Sequence, residues 1–446
     1  MSDLLAIGAT GVRAYQTALT TTGDNIANTG VAGYTRRTTT LAEVTSVSGL
    51  AGRSITGSGV TVSGIVRQAD AYRASAVRSS GADLARTQAG AVWLDRIETS
   101  LTGNALGDRL TSFFTAARTL SADPTSVPQR AVLLENAKAL ASSFTATGKQ
   151  LDQGMAELDA TAGQAVGQLN SLGESLAKVN DGLARTAPGG VAAAQLADQR
   201  DQILEQMSAL ADVGVTTDVL GRATVTLGAG GPTFVQGTDA GHVTVARNGG
   251  AVALAVQNGP TLSSFSPAGG ALAGVVEGAG RLANARESLN ALANDFRTEV
   301  NAIQAGGRDL DNNPGADMFA IAPGGTATDL TVPLTDPRGI AAAGVGWGTR
   351  DASNLAVLES SRGAHGWEAG LTKLTTGNAA AIEQRKLVAD AQTAIRDGAV
   401  SARDAVSGVD LDSEAVELLR FQQAYQASSR VIQVARETMQ SILEIR

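Results

Sequence analysis

Residues 407–443 read SGVDLDSEAVELLRFQQAYQASSRVIQVARETMQSIL, and their spacing decides how this chain is built. Leu411, Leu418, Tyr425, Ile432 and Met439 recur at every seventh position, and Phe421, Ser428, Ala435 and Ile442 each follow one of them by three. That double spacing draws one narrow apolar seam along a helix, and such a seam is buried only against another helix. Asp410, Asp412, Glu414 and Glu417 crowd the start of the helix, whereas Arg430, Arg436 and Arg446 lie later, a distribution that complements the helix dipole. Asp410 or Asp412 is placed to cap the first turn.

The opposite end of the chain carries a matching seam. Leu5, Val12, Leu19 and Ile26 stand seven apart, with Tyr15 and Thr22 three places after the second and third, which predicts a helix from Ser2 to Ala27. Gly30 and Gly33 then interrupt the pattern, and the Thr-rich stretch from Thr35 to Thr45 reads as extended chain. A seam at helical spacing is most often internal, so by themselves the two stripes predict paired terminal helices. Three of the four tyrosines, Tyr15, Tyr34 and Tyr425, fall in these terminal segments, and association between copies is the expected next step.

Between the ends, about Arg67 to Leu101, Ala105 to Leu120, Gln129 to Ala184 and Val191 to Ala211 read as helices, with Pro124 and Pro128 marking a turn. Gly154, Gly163, Gly167 and Gly173 weaken the expectation of one unbroken helix, at about 1 kcal/mol each relative to Ala. Composition changes at Gly214, where VGVTTDVLGRATVTLGAGGPTFVQGT (213–238) and GHVTVARNGGAVALAVQNGP (241–260) alternate apolar and small polar residues between glycine turns. Arg247-Asn248-Gly249-Gly250 is a hairpin signal. Helix resumes from Gly270 to about Ala305, residues 306–348 lack periodicity and read as an irregular excursion, and helical pattern returns from about Asn378 to Ser407. The expected fold class is mainly α with inserted β: paired terminal coiled-coil helices (1–40 with 407–446), a long-helix bundle domain (41–213 with 268–305 and 349–406) and a small outer β-domain (214–267). The excursion at 306–348 is grouped with the outer domain.

Composition bounds the chemistry. At 446 residues several domains are expected. A net charge of −8 with scattered basic residues argues against a nucleic-acid surface, and no run of about 18 apolar residues predicts a membrane span. The absence of cysteine excludes disulfides, thiolate metal sites and cysteine nucleophiles. His242, in a strand or turn, and His365, in a Gly-rich loop, form no metal or catalytic spacing and read as surface residues. The glycine run at 228–231 has no following Lys-Ser or Lys-Thr to hold phosphate. Asp309, Asp311 and Asn313 start a calcium-loop pattern, but Pro314 and Ala320 occupy its sixth and twelfth places, so a turn is expected. No catalytic, cofactor or metal site is expected, and no basic n-region precedes an apolar run of the kind a cleaved signal needs.

Two stretches together resemble a known family. DNIANTGVAGYTRR at 24–37 and the 407–443 stretch are similar to the terminal signatures of flagellar axial (rod and hook) proteins. Asn25, Ile26, Ala27 and Asn28 match the shared axial motif. Gly33, Tyr34, Thr35 and Arg36 fit the version found in hook-associated proteins of the hook–filament junction (FlgK type). Leu418, Leu419, Phe421, Gln422, Gln423, Ala424 and Tyr425 match that family's Leu-Leu-x-aromatic-Gln-Gln-Ala-Tyr core. The stretch at 307–315 before Phe319 resembles the family's Asp/Asn/Gly-rich loop.

The resemblance implies an extracellular, non-enzymatic subunit of the bacterial flagellum, exported by the flagellar type III apparatus without a cleaved signal. It also implies that the terminal helices pair to line an inner tube while the β-domain faces outward. Expected partners are further copies of the chain, the hook subunit, the neighbouring hook-associated protein leading to the filament, and an export chaperone at the C-terminal helix. Neither nucleic acid nor membrane insertion is expected. Assembly is assigned to Leu5, Val12, Tyr15, Leu19, Ile26, Leu418, Phe421, Tyr425, Ile432 and Ile442, and the turn between helix and arm to Asn25, Asn28, Gly33 and Tyr34. A hook or rod subunit is the nearest alternative, which the Thr35-Arg36 pair and the β-insert disfavour. An extracellular enzyme on an axial scaffold is the more distant one.

Overall fold

The computed structural model describes residues 2–44, 59–228 and 230–444; Thr45 and Arg446 of the patterns above lie outside them. Helix α1 (Ser2–Ala27) has the bounds read from its heptads and passes through a turn into strand β1 (Arg37–Glu43). Antiparallel β2 (Val60–Arg67) pairs with it, with a bulge between Thr40 and Leu41. Asp70 caps α2 (Ala71–Thr102) by accepting from the Tyr72 and Arg73 amides. Then come α3 (Leu106–Ala122), α4 (Val127–Arg185) and α5 (Val191–Leu210).

Helix α4 runs 59 residues without a break, about 90 Å at 1.5 Å per residue. Its glycines do not interrupt it because tertiary packing uses one of them directly. A Cβ on Gly173 would lie 2.6 Å from Cζ of Phe234, so the missing side chain is what lets a sheet residue reach the helix backbone.

Two antiparallel sheets follow, one of order β3-β4-β5-β6 (Val213–Thr217, Ala223–Leu227, Thr233–Gln236, Asp239–Ala240) and one of order β7-β8-β9 (His242–Asn248, Ala251–Asn258, Thr261–Phe265). The Gly249-Gly250 turn joins β7 to β8 as its sequence predicts, with Gly249 at φ +59°. Both sheets are pinned to α4 by asparagines. Asn180 accepts from the Ala223 amide at 2.8 Å and donates to the Ala223 carbonyl, while Asn170 makes the same pair of bonds to Val243. Leu169, Leu176, Met207, Val225, Leu227, Phe234, Val243, Leu254 and Val256 form the core between sheets and helices.

Helix α6 (Gly270–Gly306) packs along α2, and then the chain enters 307–352. The short pieces β10 (Gly307–Arg308), β11 (Ala320–Ile321), β12 (Leu330–Thr331) and β13 (Ala343–Gly344) are irregular, as expected, yet Met318, Phe319, Leu330 and Ile340 are buried in the helical core. Buried polar side chains replace regular pairing there. Asn301 accepts from the Met318 and Phe319 amides at 3.0 Å and donates to the Phe319 carbonyl, and the guanidinium of Arg130, 1% exposed, donates to the carbonyls of Pro124 and Ile340. Asp309 accepts from the amides of Asp311 and Asn313, closing a turn.

Helix returns earlier than its pattern predicts, as α7 (Ser353–His365) and α8 (Trp367–Ser407), separated at Gly366 with φ +61°. The Gly- and Thr-rich composition of 363–377 hides this helix, which is held by burial of Leu355, Leu358, Trp367 and Leu371. His365 is therefore not in a loop. It ends α7, stacks on Trp367 at 5.0 Å, and its Nδ1 lies 2.9 Å from Asp295 Oδ2. Phe113, Phe114, Phe144, Phe296, Phe319 and Trp367 form one aromatic cluster with centroid spacings such as 5.3 Å for Phe296–Phe319. Helix α9 (Leu411–Glu444) closes the chain, and Asp410 caps it by accepting from the amides of Asp412 and Ser413.

Candidate functional site

The two terminal helices pack against each other antiparallel. The line of α1 that packs closest to α9 is offset from its large heptad residues, sharing Thr22 with them. Gly8, Gly11, Ala14, Ala18, Thr21, Thr22 and Asn25 are buried, whereas Leu5, Val12, Tyr15, Leu19 and Ile26 are half-buried beside them. A Cβ on Gly8 would lie 2.6 Å from Ile432 Cγ1, and one on Gly11 would lie 2.7 Å from Ser428 Oγ. The small residues thus let α9 approach the α1 backbone, and the expectation that the large residues form that seam is corrected. On α9 the heptad reading and the contact face coincide from Leu418 to Ala435, where Phe421 and Ala435 are buried and Leu418, Tyr425, Ser428 and Ile432 are half-buried, whereas Leu411, Met439 and Ile442 are exposed. Tyr15 meets Phe421 at 6.4 Å between centroids.

Other apolar side chains of α9 are left open among the described residues. Val416, Leu419, Val434 and Ile442 are between 54% and 66% exposed. Ile442 stands seven residues after buried Ala435 on the intramolecular seam and is exposed because it lies beyond the first turn of α1, whose Gly8 already faces Ile432. Gln422 and Gln423 are exposed and make no side-chain hydrogen bond among the described residues, and Ala424 is half-buried.

The motif at 24–37 is a knot that ties three elements together. Asn25, 1% exposed, donates through Nδ2 to the Arg37 carbonyl (2.8 Å) and to Glu414 Oε2 (2.9 Å). Its Oδ1 accepts from the Arg37 amide (3.0 Å) and the Tyr34 hydroxyl (2.9 Å). All four bonding positions of the amide are engaged by the start of β1, the turn and α9. Arg36 Nε donates to the other oxygen of Glu414 at 2.6 Å, and the Arg36 amide donates to the Ser407 carbonyl at 2.9 Å.

Arg37 Nη2 and Arg67 Nε share the carboxylate of Asp198 on α5 at 2.7 and 2.8 Å, and Arg67 also reaches Asp201 at 2.7 Å. Arg37 lies over the Tyr34 ring, 4.8 Å from its centroid, and burial raises the pKa of the Tyr34 hydroxyl above its ordinary value. Asn28 donates to the Asp24 carbonyl and ends α1, and Thr35 accepts from Arg67. Ala27 is exposed. Gly33, in the turn expected of it, has φ +78°, and the side chain of Gln202 from α5 occupies the space a Cβ would need.

Sequence reasoning placed Asn25, Gly33 and Tyr34 in this turn but missed Arg37, Arg67, Asp198, Asp201 and above all Glu414. Glu414 was read as a charge suited to the helix dipole. A signal was present: Glu414 stands seven residues before Phe421, on the seam, where a carboxylate requires a built partner. A cleft of about 360 Å³ beside the knot sets Arg67, Arg78 and Arg403 against Asp70, Asp201 and Glu205, so its charges are already opposed within the chain. Among the described residues no group of three or more His, Asp or Glu could hold a metal, and no helix is long and apolar enough to cross a membrane. The geometry supplies anchorage and exposed apolar surface.

Comparison with known proteins gives concordant matches. Residues 94–319 match the family described as flagellar hook-associated protein FlgK helical domain, and residues 401–445 match that described as flagellar basal body rod FlgEFG protein C-terminal. Flagellar hook-associated protein 1 of Salmonella typhimurium is 30% identical over 347 residues, 72% of this chain and 60% of that protein. The protein of the same name from Bacillus subtilis is 25% identical over 487 residues, 96% of this chain and 95% of its own. The chain thus spans about 60% of the length of the first of these relatives. The flagellar hook junction protein FlgK from Burkholderia pseudomallei shares the fold over 56% of this chain and 47% of its own, with a TM-score of 0.50 at 24% identity.

Proposed function

The chain belongs to the FlgK family of flagellar hook-associated proteins, and from that premise we propose that it is a structural subunit joining the flagellar hook to the filament, assembling through its terminal helices. The observation that carries this reading is the exposure of Val416, Leu419, Val434 and Ile442 on a helix whose buried seam already packs on α1. Large apolar side chains left open beside a packed seam favour a second neighbour, and none covers them among the described residues. Further copies of the chain supply the second, with the hook subunit at one end of the stack and the next hook-associated protein at the other.

The knot at Asn25 and Glu414 sets the angle at which this helix pair leaves the helical body. Before assembly α9 presents its apolar faces to an export chaperone, and the subunit leaves the cell through the flagellar export apparatus to act outside it. No catalytic step is part of the reading. The test is electron microscopy of cells lacking the subunit: hooks without filaments, with filament subunits shed into the medium, are expected, and restored filaments on re-expression. Normal filaments in the deletion strain would refute the proposal.

A further inference from the structure

Of the three tryptophans, Trp93 and Trp367 lie in the core at 4% and 1% exposure, while Trp347 is 67% exposed. Its loop is nonetheless ordered. Asp351 accepts from the Gly344 amide at 2.7 Å and from the Ser353 hydroxyl, and the amides of Trp347 and Asp351 close turns onto the Gly344 and Gly348 carbonyls. Those bonds, the Ser353 hydroxyl first, hold the Asp351 carboxyl below its ordinary range, so it stays ionised and fixed. An exposed indole on a preformed loop, beside Val345 at 59% exposure, costs little ordering to bind and is the residue type that most often anchors interfaces.

A groove of about 330 Å³ runs between α3 and α4, walled by Thr111, Thr115, Thr119 and Val132, with Gln129 and Asn136 at its polar side. Oε1 of Gln129 is buried there without a hydrogen-bond partner among the described residues. An unpaired buried acceptor is costly, and indole Nε1–H is a donor only. The Trp347 indole N–H has no partner among the described residues either. Trp347 is not among the residues lining the groove of its own chain.

We propose that Trp347 of one copy inserts into the α3–α4 groove of the next, its ring against the threonine methyls and Val132 and its N–H toward Gln129. Joining two different surfaces makes the contact heterologous, the kind that propagates around a ring or helix. It is separate from the terminal helices, though it rests on the reading that copies of the chain stand side by side.

The chain has no cysteine, so introduced ones report alone. Val345→Cys and Asn136→Cys leave the indole, Val132 and Gln129 in place, and the double variant is expressed as the only junction subunit and treated with a bismaleimide. The expected result is a ladder of cross-linked copies in incorporated protein, absent from each single variant and lost when Trp347→Ala is added. Incorporation without cross-links, or cross-links that survive Trp347→Ala, overturns this contact and leaves the assembly reading standing. Failure of the cysteine-free parent to localise to the junction sinks both.

Discussion

Asn25 concentrates at one residue what the axial motif does. Its amide presents two donors and an acceptor oxygen with two lone pairs, and all are used, so neither Asp nor Ala can replace it without loss. Asn25→Asp places a second carboxylate within hydrogen-bond distance of buried Glu414, and two like charges there cannot both stay ionised. The shared proton raises the folded-state pKa above the unfolded value, so the variant is closest to wild type below the ordinary carboxylate range and loses stability as pH rises through the folded pKa. At neutral pH the expected cost is about 3 kcal/mol, of the size seen when a buried pair is broken. Amide hydrogen exchange at Arg37, whose N–H is bonded to Asn25, measures it; equal protection in variant and parent at neutral pH would count against the knot.

Elements in this chain are shaped as much by where side chains are missing as by where they are large. The glycines of α4 that weaken a single-helix expectation stand in an unbroken helix, because burial of the apolar residues along it outweighs about 1 kcal/mol of propensity at each. The α2–α6 crossing makes the point testable. A Cβ on Gly278 would lie 2.2 Å from Trp93 Cδ1, inside a packed core, whereas one on Gly280 meets nothing within 4 Å. Gly278→Ala is expected to destabilise by about 1–2 kcal/mol, overpacking outweighing the gain in helix propensity. Gly280→Ala should stabilise by up to about 1 kcal/mol. Thermal melts of the two variants should therefore move in opposite directions.

At the scale of the molecule, the large buried clusters lie in the helical body and under the sheets, and neither includes a residue of α1 or α9. The terminal pair is joined to that body by the arm β1–β2, the knot and the chain at Gly408. Ile432 packs over Gly8 within the pair. Ile432→Asp should therefore separate the termini, exposing both to protease, while the melting temperature of the helical body stays within about 2 °C of the parent, the shift of roughly 0.5 kcal/mol in a domain of this size. Filament attachment should be lost in cells carrying it. A variant that forms junctions and swims normally would show that the pair is not what assembles.

Local spacing alone specified the terminal helices, the Gly249-Gly250 hairpin and the turn at Gly33, and narrowed the α9 cap to Asp410 or Asp412, because each depends on residues within a few positions of one another. It also identified the seam of α9, since a seven-residue period needs no knowledge of the partner. Only the tertiary structure decided which line of α1 faces it, because small residues announce close approach only when a neighbour is present. The same holds for Glu414, joined to Asn25 across nearly the whole chain, and for residues 307–352, whose order comes from Asn301 and Arg130 reaching in from helices. Contacts made across long sequence separations leave no period to read, so the sites that depend on them become visible only when the chain is folded.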